Sequence, residues 1–581
     1  MKQFLKYTLA TIVGVIVASL LGSLILLGVV GAVAGSSEKV TQVKPNSVYE
    51  IDLEGSLVDR SDDNPVAAAM AEAFGQPEEK VLGLDDVLAN IEKAKNDENI
   101  KGIYLKGGTL AGGFASLKEI RDALIDFKKT GKFVLAYADT YSQKNYYLAS
   151  VADKILINPQ GMLELKGLAA QLTFFKNTLD KLGIEMQIVK VGTYKSAVEP
   201  FINTKMSDAN REQVTVYMNS LWDNMLSQIS ASRNIPVDSL NAYADQCLMF
   251  QPTELTKKYA LVDSLVYIDQ ADSILNDYVD DYKLLTHTQM CNVPDNAKFK
   301  KDKLAVIYAV GGIDDGDDKG IKSDDLVETI NDVAKDETVK AVVFRVSSPG
   351  GSAYGAEQIW RALSVLKTKK PLIVSMGDYA ASGGYYISSM ADSIVAQPNT
   401  ITGSIGIFGM IPNISGLSEK LGFTYDGVKT NKMSDAISIN RPFRPEERVM
   451  MQNYVNRGYE LFVKRCADGR GMATDAIKAI AEGRVWTGEE AIKIGLVDKI
   501  GGMNDAIAIA AQKAGLDEYQ VKQYPEKEDF MTRLLKSFGD DMEVRITKAQ
   551  LGDQYEIYQK IRNIKNLQGI QARLPYELDV K

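Results

Sequence analysis

Apolar positions alternate with polar ones from Ser47 to Leu53, and a second opening strand of the same kind is predicted over Lys303 to Val310. Val339 to Val346 is continuously apolar enough for a buried strand, and Ala353 to Leu366 carries its apolar residues at helical spacing. Leu372 to Met376 then reads as a strand and Ser382 to Met390 as a helix. Strand and helix alternate, with glycine-rich turns between them, which predicts an α/β fold. Toward the end, Pro525 to Lys581 mixes Ile557, Ile561 and Ile564 with charge, a pattern expected of a helical packing or assembly segment.

The pattern occurs twice. Residues 84 to 200 recur at 323 to 439 with a shift of 239, which pairs Tyr146-Tyr147 with Tyr385-Tyr386, Asp139 with Asp378, Asp153 with Asp392 and Leu182-Gly183 with Leu421-Gly422. Read without a gap, a repeat of this length means duplicated domains and not a short solenoid. Both copies also end alike, Ala260-Leu261-Val262-Asp263 answering Gly495-Leu496-Val497-Asp498. The turn-forming stretch within Thr286 to Lys301 separates them, and copy one alone holds an insertion, Pro65 to Gln76, expected to be a short amphipathic helix. The expected organisation is an anchor at 1–35, an α/β domain at 46–290, a second at 302–520 and a helical tail at 521–581.

From Tyr7 to Ala34 no charged residue occurs, a run of 28 that would measure about 42 Å as a helix at roughly 1.5 Å per residue. Ala32-Val33-Ala34 has the form of a cleavage site, but the run far exceeds a cleavable signal's apolar stretch, so a retained transmembrane anchor is expected. Lys2 and Lys6 precede it, which keeps the N-terminus cytoplasmic and exports the rest. The net charge of -9 argues against a nucleic-acid partner. Cys247, Cys291 and Cys466 are too few for a disulfide framework and match no zinc spacing; Cys247 and Cys466 sit in apolar contexts that predict buried, inert thiols.

The single histidine, His287, stands near the linker, where a solvated residue is expected. Multi-histidine metal sites are thereby excluded, and a Ser-His-Asp triad would have to recruit this one ring. A serine nucleophile would then need a lysine as base, and only burial brings a lysine's pKa down far enough from about 10.4. Ser382, in Ala380-Ala381-Ser382-Gly383-Gly384, is the candidate nucleophile; the alternative is a helix N-cap, although two following glycines are poor helix formers. The register gives copy one Ser142-Gln143-Lys144-Asn145 at Ala381 to Gly384, so only copy two offers a nucleophile there. Lys195 lies among small and apolar residues in Gly192-Thr193-Tyr194-Lys195-Ser196-Ala197-Val198 and is the preferred base. Its counterpart is Ser434, or Thr430 if Gly192 is set on Gly427; Lys429 and Lys432 of copy two compete with it from a polar stretch. Ser348-Pro349-Gly350-Gly351 and the turn at Ser382 are expected to present backbone amides suited to an oxyanion. Ile405, Ile407, Phe408, Met410 and Ile411 fit either an apolar substrate groove or core, and Val485-Trp486-Thr487-Gly488 a strand-to-helix turn.

Gly377 to Tyr386, Val191 to Phe201 and Gly483-Arg484-Val485-Trp486-Thr487-Gly488 closely resemble the signal peptide peptidase A family in its long, duplicated form. The resemblance runs from the anchor to about residue 515. It implies two tandem Clp protease/crotonase-like domains after an N-terminal transmembrane helix, and a Ser/Lys endopeptidase acting on cleaved signal peptides and other hydrophobic peptides. It also implies Ser382 as nucleophile, Lys195 as general base and Ser404, in Thr402-Gly403-Ser404-Ile405-Gly406, as the residue that orients the lysine. Gly351, with Gly350 as alternate, and Gly383 would then form the oxyanion hole. The family implies a homotetramer on the inner membrane with its catalytic domains in the periplasm, and neither a metal nor an organic cofactor. A crotonase-like acyl-thioester enzyme and a noncatalytic membrane scaffold are the competing classes.

Overall fold

A computed structural model describes residues 6–8, 11–17, 20, 40–61, 80–294, 300–316, 320–527 and 569–574. Most of the expected anchor at 1–35, all of the insertion at Pro65 to Gln76 and most of the tail lie outside the described residues. Among those described, no helix is long and apolar enough to cross a membrane.

Copy one contributes β1 (Ser47–Val58), β2 (Val81–Gly83), β3 (Ile100–Ala111), β4 (Phe133–Tyr141), β5 (Lys154–Leu163), β6 (Glu185–Lys190), β7 (Ser264–Leu265) and β8 (Lys283–Leu285). All but β6 form one parallel sheet in the order β2-β1-β3-β4-β5-β7, with β8 beside β1. Copy two contributes β9 (Lys303–Val310), β10 (Val339–Ser348), β11 (Gly350–Ser352), β12 (Leu372–Ala381), β13 (Ser393–Ala396), β14 (Ile401–Gly403), β15 (Phe408–Asn413), β16 (Val485–Thr487), β17 (Lys499–Ile500) and β18 (Gln520–Tyr524), and β19 (Gly569–Arg573) follows. Its main sheet runs β16-β14-β12-β10-β9-β18, with β13 between β12 and β17. Parallel strands covered on both faces need apolar residues in succession, and Val342, Val343 and Phe344 of β10 are all fully buried.

The repeat is not gapless. Leu135 of β4 pairs with Lys154 while Ile373 of β12 pairs with Ser393; 393 − 154 is 239, but 373 − 135 is 238. The shift of 239 returns at Thr140 and Tyr379, which pair with Met162 and Ile401. Copy two thus carries Gly377-Asp378 where copy one has Asp139 alone. The bulged segment presents Asp378, whose carboxylate accepts from Ala115 N at 2.9 Å, Ser116 N at 3.0 Å and Ser116 Oγ at 2.6 Å, capping the copy-one helix Phe114–Lys128.

A second cross-copy contact is fully buried. Arg345 on β10 lies 2.6 Å from Asp59 and 2.8 Å from Glu119. Burial opposes the guanidinium's charge, but the two carboxylates outweigh it and push its pKa up. The third contact is a small antiparallel sheet, β11-β19-β15-β6, in which β6 of copy one runs beside β15 of copy two from Glu185↔Asn413 to Lys190↔Phe408.

Several expectations need correcting. His287 begins the helix His287–Cys291 and is half-buried; its Nδ1 is hydrogen-bonded with Tyr49 Oη at 2.8 Å, because the linker folds back over β1 instead of projecting into solvent. Cys466 is buried as expected, but Cys247 is half-buried at a left-handed φ of 50°. Where the tail is described it is strand, not helix: β18 extends the main sheet beside β9, and β19 completes the small one. Pro349-Gly350-Gly351 leads into strand β11 and is not only a turn.

Candidate active site

Ser382 sits where β12 stops and the helix Gly383–Ser388 starts. Its N–H donates to Gly403 O at 2.8 Å and its own carbonyl accepts from Tyr386 N at 2.8 Å, which pins the backbone on both sides. The resulting φ of 55° and ψ of -113° are sparsely populated for an L residue, and such conformations cost on the order of 1–3 kcal/mol. The side chain makes no cap bond to the helix, so the N-cap alternative fails. The two glycines that follow are required by space. A Cβ at Gly384 would fall 2.5 Å from Ser348 O, and one at Gly383 would fall 3.0 Å from Ala572 O.

Lys195 reaches this serine from the other copy. After β6, Gly192 turns at a φ of 109°, where a Cβ would fall 2.4 Å from Glu482 O, and Tyr194 N donates to that same carbonyl at 2.9 Å. Lys195 is fully buried, and its Nζ lies 2.8 Å from Ser382 Oγ, 3.0 Å from Ser404 O and 3.0 Å from Ser404 Oγ. Desolvation holds its pKa well below the ordinary lysine value. In its neutral form the amine has two N–H groups for the Ser404 oxygens and one lone pair for the Ser382 hydroxyl. Ser404 itself is buried at a φ of 51°, and its N–H is tied to Arg484 O at 2.7 Å.

Residues to which the sequence reading gave no part in the site shape this channel. A Cβ at Gly483 would fall 2.7 Å from Lys195 N, and one at Gly406 would fall 3.3 Å from Lys195 Cδ. Gln213, buried on the copy-one helix Asp208–Arg233, donates to Tyr194 O at 3.0 Å and to Ser196 Oγ at 3.0 Å, while its Oε1 accepts from Val485 N at 3.3 Å. It therefore fastens the lysine segment to copy two. Glycine-rich spacing around Gly483 was a readable signal; a lone glutamine on a mixed helix was not.

Gly350, Gly351 and Gly383 converge beside the serine. A Cβ at Gly350 would fall 2.7 Å from Gly383 N and 2.0 Å from Ala572 O, so this cradle admits main chain only. Lys429 and Lys432 are excluded as bases, since both are solvent-exposed and ion-paired, with Asp435 at 3.0 Å and Glu446 at 3.4 Å. Ile405, Ile407, Phe408 and Met410 are buried in packed clusters, so the core reading holds for them, and only Ile411 is partly open. Val485-Trp486-Thr487 forms β16 and Thr487 caps the next helix, as expected for a strand-to-helix turn. Among the described residues no group of acids, histidines and cysteines is arranged to hold a metal.

Sequence comparison matches residues 126–280 and 364–517, one segment in each copy, to Peptidase family S49. Protease 4 of Salmonella typhi is 37% identical, covering 86% of this chain and 83% of its own length. Protease 4 of Haemophilus influenzae is 35% identical over 85% and 83%. The chloroplastic serine protease SPPA of Arabidopsis thaliana is 32% identical over 75% and 66%.

Proposed function

Because the chain belongs to peptidase family S49 and is a serine peptidase, we propose that Ser382 is its nucleophile and Lys195 its general base, acting across the two copies. The observation that carries this reading is the 2.8 Å contact between Lys195 Nζ and Ser382 Oγ in a buried setting. Neutral Lys195 takes the Ser382 proton, and the serine oxygen attacks a peptide carbonyl. The N–H groups of Gly351 and Gly383 receive the negative charge that develops on the carbonyl oxygen. Lys195 then gives its proton to the departing amine and activates the water that hydrolyses the acyl-enzyme. Ser404 holds the lysine's two hydrogens and so aims its lone pair at the serine. An acyl-thioester enzyme would have no use for this pairing.

The substrates we propose are cleaved signal peptides and similar hydrophobic peptides, in keeping with the residue strings shared with the signal peptide peptidase A family. The finer fold reading is two Clp protease/crotonase-like domains. The uncharged run Tyr7 to Ala34 is read as a single inner-membrane anchor with the peptidase in the periplasm, working as a homotetramer. Hydrolysis of a fluorogenic hydrophobic peptide by the full chain tests the chemistry. Activity lost in both Ser382→Ala and Lys195→Ala, with unchanged circular dichroism, is the expected result; activity kept in either one refutes the assignment. Extraction of the protein from membranes by alkaline carbonate would refute the anchor, and a monomeric mass by light scattering in detergent would refute the tetramer.

A further inference from the structure

Arg484 touches both copies beside the candidate base. Resting on the reading of Lys195 as general base, we infer that Arg484 is a positioning residue for it, locking the copy-one lysine segment onto the copy-two segment that carries Ser404. The guanidinium is held between two rings, with Cζ 4.8 Å from the centroid of Tyr194 and 4.7 Å from that of Trp486. Tyr194 belongs to copy one and immediately precedes Lys195, while Trp486 belongs to copy two and pairs with Thr402, two residues before Ser404. A planar guanidinium offers a face to each ring, which a compact ammonium does not.

Hydrogen bonds hold the same two segments. Arg484 Nη1 donates to Tyr194 Oη at 3.2 Å, and Nη2 lies 3.2 Å from Glu212 Oε1 on the copy-one helix Asp208–Arg233. Toward copy two, the Arg484 carbonyl accepts from Ser404 N at 2.7 Å, and Gly483 N donates to Ile405 O at 2.8 Å. These bonds seat Ser404, whose carbonyl and hydroxyl oxygens each lie 3.0 Å from Lys195 Nζ. Glu482 completes the strap, its carbonyl accepting from Tyr194 N and its carboxylate from Thr193 N at 3.3 Å. The β6–β15 ladder ends at Lys190 and Phe408, so the lysine segment beyond it depends on such ties for its place against copy two. Counting back from the shared ends, where Ala260 answers Gly495 at a shift of 235, copy one has Met249 in place of Arg484.

Without the clamp, Lys195 Nζ would drift from Ser382 and water would reach it. A misplaced base slows the chemical step, and a hydrated amine regains its proton affinity, because burial is what keeps its pKa low. The guanidinium is engaged by Tyr194, Trp486 and Glu212 and not by substrate, so peptide binding should change little.

Steady-state hydrolysis of a fluorogenic hydrophobic peptide by the full chain, followed from pH 6 to 10, tests this. Arg484→Met is expected to lower kcat roughly 10- to 100-fold with KM within about twofold, and to move the acid limb of kcat/KM up by about one pH unit. Arg484→Lys, which keeps the charge but not the planar group, should show both changes at smaller size and serves if Arg484→Met does not fold. In a Tyr194→Leu background, where half of the clamp is already gone, Arg484→Met should cost less than about threefold more in kcat. An unchanged kcat in the folded Arg484 variants overturns the inference, as does a lower kcat with the acid limb unmoved or with full additivity to Tyr194→Leu. Those results leave the base reading standing while Lys195→Ala is inactive. A Lys195→Ala that hydrolyses the peptide at the wild-type rate overturns the base reading itself.

Discussion

The turn at Ser382 and its counterpart in copy one show how one backbone plan yields a candidate reactive site in one place and plain structure in the other. In copy two the serine is held at a left-handed φ, followed by two glycines, with Ser404 opposite. In copy one the helix starts at Gln143 with Ser142 as a regular N-cap, its hydroxyl accepting from Asn145 N at 3.2 Å. Gln143 Oε1 accepts from Lys166 N at 3.0 Å and Gly167 N at 3.1 Å, and Asn145 Nδ2 donates to Leu53 O at 3.2 Å and to Gly108 O. Buried Leu165 stands at the place of Ser404. The bonds named there all close within copy one. The proposed reactive site lies where glycine removed side chains and the other copy brings in a buried lysine.

The largest effect should separate the two turns outright. Ser382→Ala is expected to lower peptide hydrolysis by roughly 10⁴-fold or more, as nucleophile loss does in other serine peptidases. Gln143→Ala should leave the rate within about twofold, and steady-state kinetics on one peptide decides between them.

A second contrast concerns position 345 and its register partner 106. Arg345→Met strands the buried Asp59 and Glu119 and should cost about 3–5 kcal/mol. Lys106→Met, at an exposed strand position, should stay within about 0.5 kcal/mol. Urea denaturation of the two variants tests this, and equal losses would deny the cross-copy ion cluster its role.

The third contrast is one of pH. As the proposed base, Lys195 must be neutral to act, so kcat/KM should rise with pH through its lowered folded pKa and fall below it. The same sign holds for stability. The unfolded lysine binds a proton up to about pH 10.4 and the buried one does not, so this group's contribution grows as pH rises toward that value. Lys195→Met should remove the dependence, as seen in melting curves from pH 6 to 10.

The smallest effect isolates backbone strain. Ser382→Gly and Ser382→Ala both lose the hydroxyl, but only glycine relieves the positive φ, so Ser382→Gly should be the more stable by about 1 kcal/mol. At Gln143, the first residue of a regular helix, the order should reverse by about 0.5–1 kcal/mol.

The residues that meet in the candidate site were legible in the sequence because they stand out by residue identity. One histidine, a serine before two glycines and a lysine in an apolar stretch leave few arrangements, and the repeat showed that serine and lysine survive in different copies. The strands at Lys303 and Val339 were readable because parallel strands buried on both faces are continuously apolar. What escaped depends on distant partners. No local pattern says that Asp378 caps a copy-one helix, that Gln213 ties Tyr194 to Val485, or that His287 folds back onto Tyr49. The Gly377 bulge was hidden because a compensating extra residue before β4 restored the register by Thr140. The strand at Gly569 was missed because its partners, Gly350 to Ser352 and Phe408 to Met410, lie far away in the chain.

That the base comes from copy one and the nucleophile from copy two is tested most directly by comparing Lys195→Ala with Lys432→Ala on a fluorogenic hydrophobic peptide. Hydrolysis should fall roughly 10⁴-fold in Lys195→Ala and remain near the wild-type rate in Lys432→Ala. Full activity in Lys195→Ala with loss in Lys432→Ala would contradict a site shared between the copies.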